Sequence, residues 1–221
     1  MSGRPGVAGH ARPLVIAIDG PAASGKGTLA RRLATHLGLP YLDTGLLYRA
    51  VARAMVDAGR PLSDAVAAGR IAAALRPHDL DAARLRGLDV GEAASVVSAH
   101  PEVREALLAA QRRFAASPRG AVLDGRDIGT VVCPEAAVKL FITASPEERA
   151  RRRRRELVAS GQSVSFEAVL AEIRGRDGRD EARQAAPLKL ASDAHTLDTT
   201  ALDADQAFAA ALAVIDASPA R

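Results

Sequence analysis

The chain has 221 residues, 48% of them hydrophobic and 25% charged, with a net charge of +4 and no uninterrupted apolar run near the ~20 residues that span a bilayer. That length suits one α/β domain with small appended pieces, and the single cysteine, Cys133, excludes an internal disulfide framework or a zinc set. The positive charge is almost entirely arginine, since Lys26, Lys139 and Lys189 are the only lysines; this fits phosphorylated small molecules or nucleic acid. Residues 1–13 read as a disordered arm without the apolar core of a secretory signal, so the expectation is a soluble, cytoplasmic protein.

The predicted elements alternate. Leu14–Asp19 is a short apolar run bounded by Gly20-Pro21, the pattern of a buried parallel strand. Leu29, Leu33 and Leu37 share one face of a helix from Lys26 to Leu37, stopped by Gly38. Tyr41-Leu42 is a brief strand, and a helix follows from Leu46 to Ala58. Ser63 is placed to cap a helix reaching Leu75, which Arg76-Pro77-His78-Asp79 breaks. Residues 80–91 have weak periodicity; helical pattern resumes near Glu92 and again from Pro101 to Ala116. Ala121–Asp124 and Val138–Thr143 are buried strands. Ser145 with Glu148 has the spacing of a capping box at the head of an arginine-rich helix. A helix over Ser165–Arg174, a strand over Thr196–Thr199 and a helix over Asp203–Asp216 complete the chain. Together they predict a three-layer α/β/α fold around a parallel sheet.

The stretch Gly20-Pro21-Ala22-Ala23-Ser24-Gly25-Lys26-Gly27-Thr28 lies between the first strand and the first helix, the context of a phosphate-binding loop. Small side chains let backbone N–H groups approach phosphate oxygens, the helix N-terminus adds partial positive charge, and Lys26 can reach the β- and γ-phosphates. These nine residues are the predicted ATP site. The loop departs from the common pattern: Gly27, not Ser or Thr, follows the lysine, and the hydroxyl comes at Thr28. Asp124, closing a buried strand, is the expected partner for Mg²⁺, directly or through water, with Thr28 as a second ligand.

Three further stretches, Asp43–Arg49 (DTGLLYR), Leu123–Val132 (LDGRDIGTVV) and Arg176–Arg183 (RDGRDEAR), with Ser95 and Pro101–Arg104 as a fourth, resemble the signatures of bacterial cytidylate kinases, nucleoside monophosphate kinases of the P-loop class. The resemblance runs from Leu14 to about Leu212. It implies transfer of a phosphoryl group from Mg-ATP to CMP or dCMP within pyrimidine nucleotide metabolism. Arg49, Arg126 and Arg183 would grip the acceptor phosphate, Asp180 and Arg176 the sugar, and Ser95, Arg104 and Asp127 the cytosine edge; Thr44 and Tyr48 join the same site. Lys26, Arg126, Arg183 and a lid arginine, Arg152 or Arg153 with Arg153 chosen, would stabilise the transferred charge. The expected layout is one kinase domain over 14–221, with an acceptor-binding insertion over about 44–116 and a lid over about 149–164, in a monomer. Many members carry a longer insert where this chain has only the short stretch 76–84.

Chemistry supports the same direction: joining two phosphorylated nucleotides needs convergent guanidinium groups, not a strong base. Two alternatives are an adenylate- or shikimate-type kinase, and a nucleic-acid binder using the run Arg149–Arg155. The scarcity of lysine and stacking aromatics weighs against nucleic acid, and nothing calls for a membrane.

Overall fold

In the computed structural model, which describes residues 13–76, 80, 85 and 88–218, five strands form one sheet in the order β2-β3-β1-β4-β5. They are β1 (Val15–Asp19), β2 (Tyr41–Asp43), β3 (Ala121–Gly125), β4 (Val138–Thr143) and β5 (His195–Asp198), and every neighbouring pair is parallel. The helices are α1 (Lys26–Leu37), α2 (Thr44–Asp57), α3 (Ala65–Ala74), α4 (Leu88–Val97), α5 (Pro101–Ala115), α6 (Pro146–Ala159), α7 (Phe166–Ala182) and α8 (Ala204–Asp216).

The strand period of two sorts β1 between the two faces of the sheet. Ile16 and Ile18 pack with Leu29 and Leu33 of α1 and with Ala211 and Ile215 of α8. Ala17 packs on the other face with Leu123, Ile128 and Ala115 of α5. Helices therefore cover both faces, as the apolar runs predicted. A separate cluster joins Leu47, Val51 and Met55 of α2, Ala68 and Ala72 of α3, Ala93 and Val97 of α4, and Val103 and Leu107 of α5. This helical lobe has its own core beside the sheet. Ala150 and Leu157 of α6 meet Val169 and Ile173 of α7 in a smaller cluster. Among the described residues, no helix is long and apolar enough to cross a membrane.

Several local expectations change. The cap of α3 is Asp64, whose carboxylate accepts the Ala67 N–H at 2.9 Å, not Ser63. Ser145 caps α6 by accepting the Glu148 N–H at 3.2 Å, but its own N–H donates to Thr200 Oγ1 at 2.9 Å, so Glu148 is released to pair with arginines. The complete capping box is instead Asp203 with Gln206 on α8. Helix α7 does not stop at Arg174; it runs through Gly175 and Gly178 to Ala182. Each interior glycine costs about 1 kcal/mol against alanine, offset here by ion pairs from Asp177 to Arg149 and from Asp180 to Arg126. The Ile128–Val132 segment, predicted as no element, is a single π-helical turn. The 1–13 arm, except Pro13, and most of the short 76–84 stretch lie outside the described residues.

Candidate active site

The loop Gly20–Thr28 connects β1 to α1 under close packing. A Cβ on Gly20 would stand 2.0 Å from the Ile142 carbonyl oxygen of β4, so only glycine fits there. Gly25, with φ of 90°, is the N-cap of α1, and no side chain satisfies the N–H groups of the first turn. Those donors are left for an anion. The outer side of the loop is braced: Arg149 Nη1 donates to the Ala22 carbonyl at 3.3 Å, and Thr199 Oγ1 and Arg152 Nη1 donate to that of Ser24 at 3.0 and 3.3 Å. Lys26 donates to the Pro21 carbonyl at 3.3 Å. Burial, then the charge of Arg126, pushes its ammonium down to about 7, a strain that an arriving polyphosphate would relieve.

An acidic corner faces this loop. Parallel pairing puts Asp43 of β2 in register with Asp124 of β3. Burial, then the neighbouring Asp43 charge, pushes the Asp124 carboxyl up to about 7, against the pull of Lys26. Tyr41 donates its hydroxyl to Asp124 Oδ1 at 2.7 Å, and Thr44 Oγ1 donates to the Asp124 carbonyl at 2.8 Å. The residue of α1 opposite this carboxylate is Gly27: a Cβ there would lie 3.7 Å from Asp124 Oδ2. Thr28 is one position further round the helix and is exposed. Two neighbouring carboxylates, Asp124 buried and Asp43 half-buried, suit a hard divalent ion, which takes one or two protein carboxylates and completes its shell with phosphate and water. Among the described residues, no cluster of three or more histidine, cysteine or acidic side chains forms a self-sufficient metal cage.

On the other side, charged side chains from α2, α5, α7 and the segment just after β3 converge, with Ser95 of α4 among them. Arg104 is ion-paired with Asp127 and lies over the Tyr48 ring, 5.6 Å from its centroid. Arg126 Nε donates to Asp180 Oδ2 at 2.8 Å. Burial alone would raise the Asp180 carboxyl, but Arg126 and Arg183 beside it bring it below its usual value. Burial, then the charge of Arg126, lowers the Arg176 guanidinium to about 10. Arg176 Nε and Arg183 Nε and Nη2 are buried, with no hydrogen-bond partner among the described residues. Arg49 Nη1 donates to the Leu85 carbonyl at 3.1 Å. Ser95 Oγ accepts from Arg179 Nε at 3.2 Å. Because Arg126 and Arg176 both act on Lys26, this cluster and the phosphate loop share one electrostatic site. Its surplus of guanidinium over carboxylate calls for an anion.

Four residues in or beside the site escaped the sequence reading. Asp19, 5% exposed, accepts the N–H groups of Ile128 and Gly129 at 2.8 and 2.7 Å, tying the end of β1 to the turn that follows Asp127. Burial pushes its carboxyl up to about 6. A carboxylate ending a buried strand is itself a signal that it has partners. Tyr41, Ser98 and Arg179 gave no such signal, because their partners are 83, 85 and 84 residues away in the chain.

The arginine run divides by role. Arg149 forms a two-pronged pair with Asp177 at 2.9 and 2.6 Å and is 3% exposed. Arg152 donates to the Thr199 carbonyl at 2.6 Å and to Thr199 Oγ1 at 3.0 Å. Both brace the phosphate loop from outside. Arg153, the next residue along α6, pairs instead with Glu156 at 3.2 Å. Arg151 and Arg155, both exposed, pair with Glu148.

A family model described as cytidylate kinase matches residues 16–217. The chain is 69% identical over 204 residues to a cytidylate kinase of Methylobacterium sp. (strain 4-46), covering 92% of this chain and 97% of that one. It is 62% identical to a cytidylate kinase of Methylocella silvestris, covering 93% and 95%, and 63% identical to one of Xanthobacter autotrophicus, covering 92% and 98%. Such coverage leaves no room for a long extra insert in these relatives, so the short stretch near residue 80 is common to them. Among solved structures, the fold resembles a gluconokinase from Sinorhizobium meliloti 1021, with TM-score 0.51 at 17% identity, covering 93% of each chain. It also resembles an uncharacterized protein from Eubacterium ventriosum, with TM-score 0.55 at 16% identity, covering 92% and 99%.

Proposed function

The chain belongs to the cytidylate kinase family and catalyses ATP-dependent phosphorylation of CMP, and from that premise we propose how its residues divide the work. The observation that carries the proposal is the set of buried, unpartnered guanidinium donors on Arg176 and Arg183 in the same field as Lys26.

The donor phosphates lie on the N–H groups of Gly20–Thr28, with Lys26 at the β/γ bridge and the Thr28 hydroxyl on a phosphate oxygen or the metal. Asp124 would hold Mg²⁺, directly or through water, and the ion would supply positive charge to neutralise the donor phosphates. Arg49, Arg126 and Arg183 grip the acceptor phosphate, Asp180 and Arg176 the ribose, and Ser95, Arg104 and Asp127 the base, with Thr44 and Tyr48 shaping the pocket. An acceptor phosphate oxygen is already ionised at neutral pH. It forms the new bond to the γ-phosphorus as the bond to the β–γ bridging oxygen breaks and ADP leaves. No general base is needed, so positioning and charge stabilisation carry the rate. Arg153 closes over the transferring group.

In this reading the helical lobe, within about 44–116, moves as the acceptor-binding unit, and the region about 149–164 moves as the lid. dCMP is a second substrate, and the enzyme works as a cytoplasmic monomer without nucleic acid. The inward bonds of Arg149 and Arg152 favour a nucleotide kinase over an RNA binder, because both side chains brace the phosphate loop. ADP release measured with CMP, dCMP, UMP and AMP tests the assignment. Turnover of AMP equal to that of CMP would sink the pyrimidine reading.

A further inference from the structure

We propose that Ser98, just beyond the end of α4, is a positioning residue that sets Arg183 for the acceptor phosphate; the proposal rests on the acceptor site described above. Ser98 is 6% exposed and holds four hydrogen bonds, one of them from its backbone N–H to the Ala94 carbonyl at 3.0 Å. Its hydroxyl has one proton, which goes to the Ser95 carbonyl at 2.9 Å. Towards Arg183 the oxygen therefore only accepts, and Arg183 Nη1 donates to it at 3.2 Å. The Ser98 carbonyl accepts from Arg104 Nη1, also at 3.2 Å. The end of a helix carries unsatisfied carbonyls and partial negative charge, so it suits two guanidinium groups side by side. One residue thus anchors a phosphate-gripping arginine and a base-reading arginine.

Docking Nη1 has a consequence for the rest of Arg183. Nε and Nη2, which form one edge of the guanidinium fork, are left buried without hydrogen-bond partners. Nη2 stands 3.6 Å from Asp180 Oδ1, an ion-pair distance too long for a hydrogen bond. That edge is the geometry that takes two phosphate oxygens in parallel. Without the Ser98 hydroxyl, the guanidinium is free to rotate onto Asp180 and satisfy itself there. The carboxylate then competes with the substrate, and the fork turns away from the phosphate. Ser98 acts by preorganisation, without touching the substrate.

Equilibrium titration of CMP, cytidine and ATP against wild type and Ser98→Ala tests this. Ser98→Ala should weaken CMP about tenfold while leaving cytidine, which lacks the phosphate, and ATP unchanged. Ser98→Thr, which keeps the hydroxyl, should restore most of the CMP affinity, and in an Arg183→Ala background Ser98→Ala should make no further difference. Wild-type CMP affinity in Ser98→Ala overturns the Ser98 role alone. Equal weakening of CMP, cytidine and ATP shows a general packing effect and also overturns it. A wild type that does not bind CMP overturns the acceptor-site reading itself.

Discussion

The Tyr41 hydroxyl of β2 donates to Asp124 Oδ1 of β3 at 2.7 Å, beside the place where Gly27 lacks a side chain. A Cβ at Gly27 would lie 3.8 Å from the Tyr41 oxygen and 3.7 Å from Asp124 Oδ2. The hydroxyl that Gly27 does not supply thus has a counterpart on a neighbouring strand. It engages Oδ1 and leaves Oδ2 on the side of Gly27. The Tyr41 ring is itself held by Arg31, 5.5 Å from its centroid.

Tyr41→Phe keeps the ring and removes this bond. The expected outcome is a Mg²⁺ requirement raised several-fold, about what a charge-assisted hydrogen bond contributes, with the KM for CMP unchanged. Mn²⁺ binding to the enzyme–ADP complex, followed by electron paramagnetic resonance, should weaken in parallel. Adding Gly27→Ser to this variant should recover part of the loss.

Asp19 gives a pH signature. Its folded value near 6 is above the ordinary 3.8, so the folded protein holds this proton more tightly than the unfolded chain. Stability from this group is therefore present below about pH 4 and lost as pH rises through about 6, on the order of 2 to 3 kcal/mol in all. Asp19→Asn abolishes that titration. Denaturant unfolding from pH 4 to 7 should show wild type losing stability relative to Asp19→Asn as pH rises. The variant should also raise the KM for CMP, because an amide replaces one of two acceptors holding the turn after Asp127.

Arg152 and Arg153 should separate by assay. Arg152→Ala removes the donors to Ser24 and Thr199, so it should lower stability by about 2 kcal/mol and raise the KM for ATP. Arg153→Ala should leave the unfolding midpoint in place and reduce kcat. A thermal-unfolding scan beside steady-state kinetics distinguishes them.

Arg104→Ala leaves Asp127, 5% exposed, without its ion-pair partner. Breaking a buried pair from one side costs about 3 to 5 kcal/mol. The preference for CMP over AMP, measured as the ratio of kcat/KM values, should fall by roughly tenfold or more.

Much of the donor side was legible in the chain because it is local. Gly20, Gly25 and Lys26 belong to one strand–turn–helix whose geometry follows from nearby residues. The acceptor side was legible only through motif resemblance. Arg126 and Asp180 are 54 residues apart, and Arg104 and Asp127 are 23 apart, so no local period links them. The helix expected to end at Arg174 runs on through Gly175 and Gly178 to Ala182, where long-range ion pairs hold it.

By itself the sequence determined the phosphate loop, the apolar strands and most helix boundaries, since these depend on backbone sterics, capping and burial periodicity within a few residues. Only the tertiary structure decided which arginines bind and which brace. Arg149 and Arg183 carry the same side chain, but one meets Asp177 and the Ala22 carbonyl, the other Ser98 and Asp180. A buried guanidinium takes its role from the acceptors that surround it. Those acceptors are assembled by the sheet order β2-β3-β1-β4-β5 and by the packing of α4 beside α7.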